Sequence, residues 1–145
     1  MLKKWKQKLK LDQRGLTLVE LLAVVVILAI VAAIAFIVIS NVIENSKKDS
    51  HVANAQQIIS AAKMHESTGG NIGENGVTLD DLKKEGFIEK EILDPWNDKN
   101  TDYGKGVIVT RSSGEKYYIN NFDGKNCKLT KKSEADLNGG RKACN

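Results

Sequence analysis

Glu20 is the residue whose type and position first invite chemistry. It stands at the head of Leu21–Ile39, a run of 19 residues without a charge, a Pro or a Gly. A carboxylate beside such a run is expensive to bury and is tolerated only where it has a partner. Gly15, just upstream, closes a basic stretch and marks a place for a cut. Asp94, Asp98 and Asp102 recur every four residues and, with Asp123, offer oxygen ligands for calcium. Their spacing is not an EF-hand pattern, so a solvated acidic loop is the preferred reading and no metal is expected. His51 and His65 lie 14 residues apart with no metal-ligand spacing around them. They are expected to be solvated or locally bonded. No catalytic constellation follows. Ser113-Gly114 lacks the context of a nucleophile elbow, and no phosphate loop of the G-x-x-x-x-G-K type occurs. The chain is expected not to be an enzyme and to need no cofactor.

The element that must position Glu20 is the apolar run itself. At about 1.5 Å per residue, 19 helical residues nearly span a hydrocarbon core of about 30 Å. A buried helix of a soluble protein rarely runs this long with every face apolar. A cleaved secretory signal would be shorter and followed by an A-x-A-like site, which Ser40-Asn41-Val42-Ile43 is not. Charge orients the segment. The net charge is +4, but Met1–Gly15 carries six Lys or Arg against Asp12, a net of +5, so the remainder sums to −1. Basic flanks stay in the cytoplasm, which puts the N-terminus inside and the C-terminal part outside. Cys127 and Cys144 then meet an oxidising compartment, where a disulfide is the first expectation and free thiols the second. Two Cys without C-x-x-C spacing make a poor metal site.

Arg14-Gly15 followed by Leu16-Thr17-Leu18-Val19-Glu20 and an apolar helix resembles the type IV pilin and pseudopilin family. The resemblance covers about residues 1–60. It implies that a prepilin peptidase cuts between Gly15 and Leu16 and methylates the new amine. Leu16 departs from the Phe that the family prefers. The resemblance also implies assembly into a filament through the N-terminal helix. Glu20, four residues from the new amine, would then neutralise the amine of a neighbouring subunit and fix axial register, because an unpaired charge in an apolar core is costly. Many family members have a helix-bending Gly and Pro where this chain has Ala29 and Ile37, and Pro95 is its only Pro. A more continuous helix is therefore expected.

Periodicity persists beyond Ile39. Val42 and Ile43, then Val52, Ala55, Ile58, Ile59 and Ala62, recur at three- and four-residue steps, which predicts one helix from about Leu16 to Ser67. Thr78 reads as an N-cap for a short helix that presents Leu79, Leu82 and Phe87 inward and ends at Gly86. Val107–Thr110 and Lys116–Ile119 read as a hairpin around Ser112–Glu115. A third strand is expected at Cys127–Thr130 after an Asp123-Gly124 turn. Phe87, Trp96, Tyr117, Ile119 and Phe122 are the candidate core. A Cys127–Cys144 bond would tie down a Gly-rich tail, Ser133–Asn145, that could otherwise fray.

The fold expected is α+β, a long helix packed on a small antiparallel sheet, as in the type IV pilins. Its parts are a leader at 1–15, a membrane or filament-core helix at 16–39, an amphipathic continuation at 40–68 and an outer domain at 69–145. The function expected is a structural subunit of a pilus-like or pseudopilus filament, serving DNA uptake, adhesion and motility, or secretion. The leader and small outer domain loosely resemble Gram-positive competence-type pseudopilins. The alternative is a single-pass membrane-anchored binding module that does not polymerise. Partners are further copies of the chain, the peptidase, the assembly machinery and the membrane. The basic stretch Lys125–Lys142 could touch DNA, or pair with the acidic stretch Glu74–Asp102 of a neighbouring subunit.

Overall fold

A computed structural model describes residues 2–89, 91–97, 103 and 106–144, with side chains from Thr17 onward. The elements are α1 (Leu2–Ser67), β1 (Val77–Thr78), α2 (Leu79–Lys84), β2 (Ile108–Arg111), β3 (Tyr117–Asn120), β4 (Asp123–Gly124), β5 (Cys127–Lys128), β6 (Lys132–Ser133), α3 (Glu134–Leu137) and a closing 3-10 helix, η1 (Gly140–Cys144). The chain divides into two compact units, residues 1–42 and 43–145.

The first unit is helix alone. With no Gly or Pro between Leu16 and Val42, nothing interrupts the hydrogen-bond ladder, and α1 runs through Ala29 and Ile37. Helix also extends upstream of the expected start at Leu16, through the leader as far as Leu2. From Thr17 to Val42 every side chain is exposed except Ala35, which is partly so.

The second unit is α+β. The stripe Val52, Ala55, Ile58, Ile59 and Ala62 on α1 is at most 2 % exposed and forms the core with Val77, Leu79, Leu82, Ile88, Ile92, Val109, Ile119 and Leu129. The sheet is antiparallel in the order β1-β2-β3-β6, with Val109 opposite Ile119. The expected hairpin forms one residue later than its pattern suggested, at 108–111 and 117–120. Its turn uses Glu115 at φ 59°, although Gly114 stands beside it. The expected cap is present, with the Asp81 amide donating to Thr78 Oγ1 at 3.1 Å, and Gly86 at φ 83° follows the end of α2.

One expectation is corrected. Cys127–Thr130 does not extend the hairpin sheet; Cys127–Lys128 pairs with Asp123–Gly124 as a separate two-stranded sheet. Asp123-Gly124 is thus strand, and the chain turns at Lys125-Asn126. The physical reason is Asp123, whose Oδ1 accepts the amides of Leu129 at 2.9 Å and Thr130 at 3.1 Å and so ends the ladder there. The places beside β2 and β3 go instead to β1 and β6, two-residue strands too short for a periodic signal. The tail, expected to be tied down by the disulfide, is also built into the fold. Ser133 and Asp136 form a capping box for α3, and Leu137 and Ala143 are buried. Cys127 and Cys144 are joined, S–S 2.04 Å and Cα–Cα 4.4 Å. Of the candidate core, Ile119 and Phe122 are fully buried, whereas Phe87, Trp96 and Tyr117 are partly buried against it.

Candidate assembly and processing site

Gly15 and Leu16 lie within the helical backbone of α1. Their side-chain surroundings fall outside the described residues. Thr17, Leu18, Val19 and Glu20 continue the helix, exposed, and Leu18 is 68 % exposed. Leu18, Val19, Leu21, Leu22 and Val25 make one continuous apolar surface beside Glu20. The same character holds as far as Ile39, with Phe36 74 % exposed. α1 is long and apolar enough to cross a membrane, and none of its most apolar stretch is buried within the chain. A patch of this size is not stable against water. Its backbone is paired within the unbroken helix, as a spanning segment requires, and the Ser40 hydroxyl donates back to Phe36 O at 2.9 Å. The segment is therefore built for lipid or for other apolar helices.

The outer unit holds the C-terminal half of α1 by polar contacts along its length. Glu44 accepts from Trp96 Nε1 at 3.0 Å and from Asn126 Nδ2 at 2.7 Å. The Asn126 bond, aided by that from Trp96, holds its carboxyl below the usual range. Trp96 in turn lies so close over Gly124 that a Cβ there would come within 2.2 Å of the ring. Farther along, Asp49 pairs with Arg141 at 3.4 Å and Gln56 Nε2 donates to Leu137 O at 3.1 Å. Lys63 meets Glu134 at 2.5 Å and lies over the Tyr117 ring. Glu66 accepts from Tyr117 OH at 2.5 Å and pairs with Arg111. The Tyr117 bond lowers the Glu66 pKa and raises that of Tyr117.

Neither histidine is solvated, which corrects that part of the expectation. His51 is fully buried. Its ring stacks on Phe122 at 4.5 Å and meets the edge of Trp96 at 5.3 Å. Nε2 lies 3.3 Å from Phe122 O, and Nδ1 lies 2.6 Å from Tyr103 OH. A carbonyl can only accept, so Nε2 carries the proton and Nδ1 accepts from the tyrosine. Burial lowers the His51 pKa and raises that of Tyr103. His65 is buried against Phe87, with Nε2 2.9 Å from Glu85. The signal for both was available, because 51, 55, 58, 62 and 65 fall on one stripe at three- and four-residue steps. Glu44 was missed for want of any local pattern, its partners being 52 and 82 residues away.

Asp98 and Asp102 lie outside the described residues. Asp94 Oδ1 accepts the Trp96 amide at 3.0 Å, and Asp123 is committed as above. Among the described residues no group of three His, Cys, Asp or Glu is arranged to hold a metal.

These two features, a helix with an exposed apolar head and a small antiparallel sheet on its C-terminal half, define a pilin-like α+β architecture. Residues 10–36 match the family model of the prokaryotic N-terminal methylation motif, the signature of type IV pilins and prepilins. The motif supports a type IV pilin-like protein processed by prepilin peptidase and handed to filament-assembly machinery. No curated protein and no solved structure matches the chain.

Proposed function

We propose that the chain is a structural subunit of a type IV pilus-like or pseudopilus filament, not an enzyme. In this reading it waits in the membrane with its N-terminus cytoplasmic and the outer unit outside. The peptidase cuts between Gly15 and Leu16 and methylates the Leu16 amine. Subunits then pack by residues 16–39, and Glu20 of one subunit neutralises the Leu16 amine of the next. The observation that carries the reading is the conjunction of the methylation motif at 10–36 with an apolar helix surface that its own chain leaves bare. Pairing supplies register, since a subunit docked out of step leaves two charges unmatched in apolar surroundings.

The intact mass of the protein from its membrane, with and without prepilin peptidase, tests the cut. Loss of Met1–Gly15 only when the peptidase is present is expected, together with a methyl group on Leu16. An uncut chain, or one cut after Ile39, would end the filament reading. Glu20→Ala tests assembly separately: filaments are expected to fall by more than about tenfold, with the amount of processed subunit unchanged.

A further inference from the structure

Gly15 is the one glycine in the 66 residues of α1, which hold no proline. The helical backbone runs through it and into Leu16 without a break. That geometry suits any residue, and glycine is the poorest helix former after proline, so the uncut helix supplies no reason for a glycine here. The residues before it, from Leu2 to Arg14, are mostly Leu, Lys and Gln, which keep a helix. Glycine loses the most backbone freedom on being ordered, and the β-branched Thr17 and Val19 follow it. A weak point of the helix thus falls at the border between the basic leader and the apolar segment.

Downstream, α1 is guarded against opening. From Leu21 to Ile39 a freed backbone group would find no water in a hydrocarbon core. From Glu44 to Glu66 the outer unit bonds to the helix and covers its stripe. Gly15 lies outside both stretches. Opening there is what hydrolysis needs. In an α-helix each carbonyl accepts from the N–H four residues on, so the Gly15 carbonyl faces Val19 and the Leu16 N–H faces Asp12. Charge that develops on a carbonyl oxygen under attack must be met by new donors, and this oxygen must first leave the ladder.

We propose that Gly15 acts in processing by letting α1 open at the bond it precedes, so that the Gly15–Leu16 peptide reaches the peptidase as extended chain. It is a positioning residue and takes no part in the bond chemistry. There the Gly15–Leu16 C–N bond breaks as water forms a C–O bond to the Gly15 carbonyl carbon, and a proton from that water goes to the departing Leu16 amine. This rests on the processing step of the function proposed above. It goes beyond that step in assigning the opening to the uncut chain itself.

The test uses the full chain in detergent micelles. It reads the initial rate of cleavage by prepilin peptidase and, without the peptidase, amide hydrogen exchange at Leu16 and Thr17. Gly15→Ala keeps a small residue before the bond but favours the helix, and it is expected to slow both exchange and cleavage by about fivefold. Adding Gln13→Gly to that variant puts a glycine back in the same turn and should bring both rates to within about twofold of the parent. Adding Gln7→Gly instead, about two turns upstream, should restore neither. A parent chain that the peptidase leaves whole overturns the processing reading and this proposal with it. Where the parent is cut between Gly15 and Leu16, three results overturn this proposal alone. Gly15→Ala leaves either rate unchanged; Gln13→Gly fails to restore cleavage, the mark of a subsite that fits only glycine; or Gln7→Gly restores it as well.

Discussion

One helix, α1, is held in place in two different ways. Between Leu21 and Ile39 the other described residues leave its side chains exposed, and what stabilises that stretch must come from elsewhere. Between Glu44 and Ser67 the same secondary structure is covered on one face by Val77, Leu82, Val109 and Ile119 and bonded on its flanks. Helical propensity alone does not make the difference. It lies in whether the apolar residues surround the helix or line one stripe, since a stripe can be met by a single small sheet and a full circumference cannot.

The same substitution placed in each half should separate them most widely. Ile58→Ala, at a fully buried position, is expected to destabilise the outer unit by about 2–5 kcal/mol. Ile30→Ala, at a position 57 % exposed, should leave the melting of that unit unchanged and act only on membrane or filament packing. Thermal unfolding of the two variants side by side checks both; equal effects would mean that the halves share one cooperative unit. Reduction of Cys127–Cys144, which closes a loop of 17 residues, comes next. It should remove about 3 kcal/mol in the chain-entropy view, read as a lower melting temperature in the presence of a thiol, and it should leave the apolar half untouched.

Acid should act on the outer half by way of His51, whose folded pKa lies below its unfolded value. The unfolded chain then binds the extra proton. The stabilisation is fully present above the unfolded value of about 6.5 and is lost as the pH falls from there through the folded pKa. The melting temperature should drop between pH 7.5 and 5, and His51→Gln should flatten that slope whatever it does to the stability at neutral pH. The smallest effect is expected at the hairpin. Glu115→Gly relieves a non-glycine residue at φ 59°, a strain of about 1–2 kcal/mol, but removes its ion pair with Arg111. A net gain of about 1 kcal/mol or less in chemical denaturation is expected.

What the sequence discloses follows the range over which each signal acts. The long helix, the Thr78 cap and the hairpin all come from spacings of two to four residues, and they were legible. The disulfide was legible too, because charge asymmetry led to the expectation of an oxidising compartment before any pairing was considered. β1 and β6 were not, since two-residue strands show no period and exist only because β2 and β3 had open edges. Asp123-Gly124 has the composition of a turn and becomes strand because Asp123 takes two amides from farther along the chain. Glu44 has the look of a solvent-facing helical residue until Trp96 and Asn126 arrive from the far side of the fold. His51 shows how a legible signal is overlooked: its stripe position was plain, and a polar residue type masked it.

The contacts of the outer unit with α1 begin at Glu44 and end at Glu66, 22 residues or about 33 Å along the helix. A pull along the axis of α1 meets Trp96, Arg141, Leu137, Glu134 and Tyr117 together, as a joint loaded in shear, and not one after another as a seam being peeled. Resistance to force is set by the rate of unfolding, and attachments that must yield at once make that rate slow. The spread of modest bonds along the helix thus makes the outer unit hard to strip from a strand under tension, with no single bond of unusual strength.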